Sequence, residues 1–306
     1  MKLYFAPLEG ITTYTYRNTH AEVFGGCDEY YAPFIVPTDN ERISMKTLRG
    51  ILPENNKVKP KVQVMCTTGT AFCEFAKKIQ ALGFDEVNLN LGCPSGTVVK
   101  KQRGSGALKD PEALDRFMDY IFANSDIKIT VKTRVGYCSH DEFATLLEIY
   151  NKYPIAELTV HPRVREEYYK GEPNMATFNM AYEHSRNKLC YNGNVYSAED
   201  FKGISAKYSN LSAVMIGRGA VKNPAIFREI KGGLGLKTAE LIHFSSLLQE
   251  RYLHLLGSDR YTLHRLKEIW LYIAQNYPNE PKITKAIKKS ERLSDLERAI
   301  NMLPEL

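Results

Sequence analysis

The chain has 306 residues, 43% hydrophobic and 25% charged, with a formal net charge of +6 at pH 7. No apolar run approaches the roughly 20 residues that cross a bilayer, and MKLYFAPLEG lacks the apolar region of a signal peptide, so neither a membrane partner nor export is expected. The six cysteines (Cys27, Cys66, Cys73, Cys93, Cys138, Cys190) form no Cys-x-x-Cys pair, which argues against a zinc site or a disulfide framework and for a reducing cytoplasm.

Short apolar runs alternate with helical patterns as far as residue 232. The first run is Leu3–Ala6, ending in Pro7-Leu8-Glu9-Gly10, and the second is Glu29–Phe34. Residues 36–59 are polar, predicted as loop with a short helix. Lys61–Met65 is the third run, followed by a helix over 71–82 with Phe72, Phe75, Ile79 and Leu82 on one face. Val87–Leu91 is the fourth, and Asp110-Pro111-Glu112 then opens a helix to 123, an N-cap acid before proline at the first helical position. Runs five to eight are Ile127–Lys132, Ala156–Val160, Lys188–Tyr191 and Ala213–Ile216. Eight strands with intervening helices predict a (β/α)₈ TIM barrel over 1–232. An open doubly wound sheet shares that periodicity; the count of eight favours the barrel.

Polar residues gather at the C-terminal ends of the runs: Gln63, Asn90, Cys93, Lys132, His161, Asn192 and Arg218. In a barrel these ends converge on the catalytic face. Cys93 stands where a strand gives way to a loop, with Lys100, Lys101 and Arg103 after it. A thiol there is either a reactive group facing an anionic partner or a buried strand cap. Residues 162–187, rich in charge and tyrosine, follow His161 and suit a lid or a plain surface excursion. Gly232-Gly233-Leu234-Gly235 reads as a hinge. Beyond it strand signals cease, and helices over 239–256, 262–277 and 281–303, the last either continuous or broken near Ser294, predict a small all-helical domain, 238–306. Lys282, Lys285, Lys288, Lys289 and Arg292 share one face of the last. Such a stripe is a solvated face or a phosphate contact, and the mild basic charge permits a nucleic-acid partner without requiring one.

Taken in order, Ala6-Pro7-Leu8-Glu9-Gly10-Ile11-Thr12 with Arg17, Gln63, Asn90-Leu91-Gly92-Cys93-Pro94, Val131-Lys132-Thr133-Arg134-Val135-Gly136, His161-Pro162-Arg163 with Tyr169 and Gly171, Asn192-Gly193-Asn194, and Gly217-Arg218-Gly219-Ala220 with Asn223-Pro224 resemble the tRNA-dihydrouridine synthase family. These flavin enzymes reduce uridine in tRNA to 5,6-dihydrouridine. The chain departs from the family's usual residues at Leu8 (methionine), Thr13 and Asn194 (aspartate) and Val164 (threonine).

The resemblance implies an FMN-dependent, cytoplasmic oxidoreductase of tRNA processing, re-reduced by NADPH and needing no metal; nothing demands more than a monomer. It implies FMN contacts from Pro7, Leu8, Glu9, Gln63, Lys132, His161, Asn192, Gly193, Asn194, Gly217 and Arg218. The loops after strands seven and eight are the usual phosphate site of a barrel, and the chain has no G-x-G-x-x-G fingerprint for a dinucleotide. Cys93 would be the general acid, because a thiol of pKa near 8.5 stays largely protonated at neutral pH and can still release its proton. Asn90 would sit beside the base, and Lys100, Lys101, Arg103, Arg163, Lys285 and Lys289 would hold tRNA, whose target base must be splayed out to react. The alternatives are an FMN barrel reducing a free pyrimidine, like dihydroorotate dehydrogenase, which needs no basic tail, and a barrel that binds RNA without chemistry.

Overall fold

The computed structural model describes residues 1–37 and 43–306. Eight parallel strands alternate with helices: β1 Lys2–Phe5, β2 Glu29–Tyr30, β3 Val62–Val64, β4 Glu86–Leu91, β5 Lys128–Gly136, β6 Leu158–Val164, β7 Leu189–Tyr191 and β8 Ala213–Ile216. They pair in the order β2-β1-β8-β7-β6-β5-β4-β3. The chain beyond β2 then bridges to β3 at Tyr31–Lys61 and Ile35–Val64, which closes the ring. This is the expected TIM barrel.

The two faces of each strand carry different side chains, as a period of two requires. Leu3, Phe5, Val87, Leu89, Ile129, Val131, Leu158, Val160, Val214 and Ile216 point outward into the main core under the helices. Tyr4, Ala6, Tyr31, Cys190, Ala213 and Met215 make a smaller cluster inside the ring. The rest of the interior is polar and bonded internally, as burial demands. Tyr4 Oη and Ser212 Oγ donate to Glu157 at 3.2 and 2.6 Å.

The barrel helices are α1 Tyr14–Val23, α2 Met45–Leu48, α3 Gly69–Ala81, α4 Gly96–Val99, α5 Pro111–Ala123, α6 Glu142–Tyr150, α7 Met175–His184, α8 Ala198–Lys207, α9 Arg218–Lys222 and α10 Ile226–Ile230. Their starts follow local chemistry. Asp110 Oδ1 accepts the Ala113 N–H at 2.9 Å, and Ser197 and Asp200 cap α8 reciprocally. In the polar stretch 36–59, α2 and a turn at Pro53–Asn55 are seen; residues 38–42 of that expectation lie outside the described residues.

The sequence expectation differs from the structure in several places. Strands β5 and β6 run four residues past their apolar runs, so residues 133–136 and 161–164 are strand too. The strands pair to Arg134–His161, slip, and resume at Gly136–Val164. Pro162, which has no N–H to give a ladder, lies in the slip. Ten residues of the expected lid, 175–184, are α7, an ordinary barrel helix; from 165–174, Tyr169 lines the mouth. The glycine-rich 232–235 is pinned: Arg228 donates to Leu234 O (2.9 Å) and Gly235 O (3.1 Å) and pairs with Glu240 at 2.8 Å.

The tail holds α11 Thr238–Leu256, α12 Asp259–Ile273, α13 Glu280–Lys289 and α14 Leu293–Asn301. The expected third helix is therefore two. Ser290 turns extended, Lys267 Nζ satisfies the end of α13 through Lys288 O (2.7 Å) and Ser290 O (2.9 Å), and Asp295 accepts the Arg292 N–H at 3.0 Å to start α14. The tail docks on the first barrel loop and helix. Thr13 Oγ1 bonds Tyr252 Oη at 2.8 Å, Arg265 donates to Gly10 O at 2.9 Å, and Arg251 donates to Thr19 Oγ1 at 2.8 Å.

Candidate active site

A cavity of about 250 Å³ opens at the C-terminal ends of the strands. Pro7, Leu8, Glu9, Gln63, Asn90, Cys93, Lys132 and Arg218 line it, with Tyr169 and Tyr272. Strand alternation brings these residues together: Asn90 pairs with Lys132 across β4–β5, and Gln63 with Asn88 across β3–β4. Their amides form a chain along the inner wall. Asn90 Nδ2 donates to Gln63 Oε1 (2.7 Å), Gln63 Nε2 to Asn88 Oδ1 (2.7 Å), and Asn88 Nδ2 to Thr130 Oγ1 (3.0 Å). Such a network fixes side chains that would otherwise rotate.

Asn90 also shapes the turn that carries the thiol. Its Oδ1 accepts the N–H groups of Gly92 and Cys93, each at 3.0 Å. Ser105 closes the other side, its N–H and Oγ both donating to Cys93 O at 3.1 and 2.8 Å. Gly104, at φ +55°, packs so tightly that a Cβ there would lie 2.8 Å from Cys93 O. Cys93 is thus rigidly placed and half-buried. Burial pushes its pKa up, against the Ser95 N–H, Arg134 and Lys132, which pull it down. The group at neutral pH is the thiol.

The mouth is cationic. Lys132 has no hydrogen-bond or ion-pair partner among the described residues, and burial, with Arg134 adding, lowers its pKa to about 8. Arg134 spans the gap to the next loop, donating to Gly92 O (2.9 Å), Val164 O (3.0 Å) and Tyr168 O (2.6 Å). Arg218 donates to Asn194 Oδ1 at 3.2 Å, and Arg163 to the same oxygen at 3.1 Å. Asn194 is neutral and links both guanidinium groups to a carboxylate, its Nδ2 donating to Glu172 Oε2 at 3.0 Å. Only Glu9 adds a carboxylate to the cavity wall, and burial raises its pKa.

A family model described as dihydrouridine synthase matches residues 4–300. The chain belongs to the dihydrouridine synthase family. It is 27% identical to tRNA-dihydrouridine synthase B of Shewanella oneidensis over 75% of this chain and 71% of that one. It is 27% identical to tRNA-dihydrouridine(16) synthase of Neisseria meningitidis over 88% and 84%. Among solved structures, the old yellow enzyme of Trypanosoma cruzi aligns with a TM-score of 0.53 at 11% identity, covering 77% of this chain and 89% of that one. Morphinone reductase in complex with tetrahydroNAD aligns at the same score and identity, over 77% and 88%. These two likenesses bear on the barrel alone.

The other residues singled out in the sequence fall into three groups. His161 is buried beside the cavity. Its Nδ1 lies 2.5 Å from Asn192 O and its Nε2 3.4 Å from an Arg163 N–H, so Nδ1 donates and Nε2 accepts. That neutral tautomer agrees with a pKa well below the usual value, lowered by burial and then by Arg134 and Lys132. Asn192 donates to Met215 O at 2.8 Å. Gly193 is dictated by Tyr191, whose hydroxyl would lie 1.9 Å from a Cβ; a Cβ at Gly217 would touch Ala6 Cβ at 3.4 Å and Leu8 Cδ1 at 3.9 Å.

Arg163, expected at the substrate, is fully buried and donates to Lys170 O (3.1 Å) and Gly171 O (2.5 Å). It holds the loop behind the mouth and offers nothing to solvent. Lys100, Lys101, Lys285 and Lys289 are exposed, and none lines the cavity. Arg103 is half-buried beside the Cys93 loop, its Nε without a partner.

Sequence reasoning quoted Tyr169 in a motif without giving it a role, and missed Tyr196 and Tyr272. Arg134 and Arg218 flank the Tyr169 ring at 5.4 and 5.1 Å. Tyr168 before it holds φ +51°, a strained value for tyrosine, kept in place by the Arg134 bond to its carbonyl. The adjoining Tyr168-Tyr169 was the one available signal. Tyr272 comes from α12 and carries no local mark.

Proposed function

We propose that this protein reduces uridine in tRNA to 5,6-dihydrouridine, with FMN in the cavity and NADPH as the reductant of the flavin. The observation that carries the reading is the rigid Cys93 thiol facing an unpartnered Lys132 in a cationic barrel mouth, in a chain whose relatives are named for that activity.

The residues fit FMN. Pro7 and Leu8 offer a flat apolar rest for a ring, and Gln63 and Lys132 face its polar edge. Lys132, with no partner of its own, suits an anionic ring edge. Asn194, Arg218 and the backbone at Gly217 offer N–H donors and charge for a phosphate, with Asn192 and Gly193 shaping the loop. His161, neutral and bonded on both nitrogens, supports this loop and does not transfer protons.

Bound reduced flavin supplies a hydride to one carbon of the uracil double bond. Cys93 Sγ gives its proton to the neighbouring carbon, and bulk water reprotonates the thiolate. Asn90 keeps the thiol aimed and lines the path of the base. Lys100, Lys101, Arg103, Lys285 and Lys289 contribute the salt-dependent attraction that brings tRNA to the mouth. We place this chemistry in the cytoplasm, where unmodified tRNA and NADPH meet; among the described residues no helix is long and apolar enough to cross a membrane.

The deciding experiment is nucleoside mass spectrometry of unmodified tRNA incubated with the protein, FMN and NADPH. Dihydrouridine formed by the parent and lost in Cys93→Ala supports the reaction and the acid. Reduction of a free pyrimidine with tRNA untouched replaces the reading with a small-molecule reductase.

A further inference from the structure

Beside the catalytic cavity lies a second chamber of about 590 Å³, between the barrel mouth and α12. The two share Glu9, Ile11, Tyr169, Arg218 and Tyr272, so they are continuous. The outer one adds Tyr196, Glu268 and Gln275. We propose that this outer chamber binds a guanine base of the substrate RNA, unpaired and near the uridine that enters the catalytic cavity. The inference rests on the tRNA-reducing function proposed above.

Three features favour a base over the other things the site could take. Its walls are aromatic and planar: the Arg218 guanidinium lies 5.1 Å from the Tyr169 ring and 5.9 Å from the Tyr196 ring. Stacking surfaces of this kind are how proteins grip splayed bases. Two carboxylates, Glu9 and Glu268, stand in the wall, which disfavours a phosphate or another anion. And the chamber opens into the place where the uridine would react, within reach of an adjoining nucleotide.

Glu268 selects the base. Its Oε2 lies 3.4 Å from Arg265 Nη1, a nitrogen already donating to Gly10 O at 2.9 Å; its Oε1 has no hydrogen-bond partner among the described residues. A carboxylate is an acceptor on both oxygens. Among the four RNA bases, guanine alone presents an N–H and an amino group side by side on its Watson–Crick edge, a match for both oxygens. Adenine, cytosine and uracil each offer one such donor group there. The chamber would thus read a neighbour of the target, and the catalytic cavity the target itself.

The test uses the flavin-loaded protein and tRNA transcripts in which each guanosine within two nucleotides of the reduced uridine is replaced singly by inosine. Inosine keeps the shape and lacks the 2-amino group. One replacement is expected to lower kcat/KM about tenfold with the parent protein. Glu268→Gln should lower kcat/KM on the parent transcript to a similar extent and lose its response to that inosine, with bound flavin unchanged by absorbance. Equal rates on every transcript, or a Glu268→Gln protein that still discriminates, overturns the inference. Loss of flavin from Glu268→Gln also overturns it, because the chamber would then hold the cofactor's tail. A parent protein that leaves the unsubstituted tRNA unreduced removes the underlying function and this inference with it.

Discussion

Two sets of basic residues can be set side by side. Inside the mouth, Arg134, Arg163 and Arg218 each donate to backbone carbonyls of loops around the rim, and Lys132 alone is left unpartnered. On the surface, Lys100, Lys101, Lys285 and Lys289 are exposed. In the first set Arg134 and Arg163 are buried and costly to disturb, and Lys132 and Arg218 are half-buried; the second is screened by solvent and individually weak. Positive charge thus does structural work in one place, carried by arginine, and long-range attraction in the other, carried by lysine.

The largest effect should come from neither set. Cys93→Ala removes the proton donor between them and should slow dihydrouridine formation by at least about 100-fold, with flavin retained, read by nucleoside mass spectrometry and absorbance. Within the inner set, Arg163→Met strips donors from Lys170 O, Gly171 O and Asn194 and should destabilise the fold by about 2–3 kcal/mol. Denaturant unfolding would show this; an unchanged midpoint would mean that Arg163 is not an architectural residue.

Lys132 sharpens the contrast through pH. Its lowered pKa, about 8, means that its charge disappears as pH rises through that value in the empty mouth. FMN affinity should therefore fall between pH 7 and 9 by about tenfold, and Lys132→Met should bind weakly with no such slope. Titration of the apoprotein by flavin fluorescence decides it. Smallest of all, Lys285→Ala with Lys289→Ala should raise KM for tRNA a few-fold and shrink the salt slope by about one for each phosphate no longer neutralised. Stability should stay within about 0.5 kcal/mol.

Much of this site was legible because a barrel has strict rules. Inward positions recur every second residue and all strands end on one face, so Gln63, Asn90, Lys132 and Arg218 could be placed together from their run ends alone. The limits of β5 and β6 were not legible. The apolar runs stop at Lys132 and Val160, and only the pairing of residues 133–136 with 160–164 carries the strands further. Arg163 was misjudged for a related reason: a charged residue at a strand end suggests an exposed contact, and its burial follows from carbonyls seven and eight residues away. Tyr272 was beyond reach, since its place depends on how α12 lies against the barrel. A break near Ser294 was legible as an alternative; its place at Ser290 was not, because Lys267 caps α13 from another helix.

The bond from Arg265 to Gly10 has a consequence for anyone recombining these proteins. Gly10 sits at φ +79°, and a Cβ there would come within 3.0 Å of the Arg265 guanidinium. Thr13, a few residues on, holds Tyr252. The tilt of the tail is therefore written partly in the first loop of the barrel. A chimaera that grafts a relative's tail after residue 237 but keeps residues 10–13 would inherit a mismatched socket. The unit of exchange is the tail together with that loop.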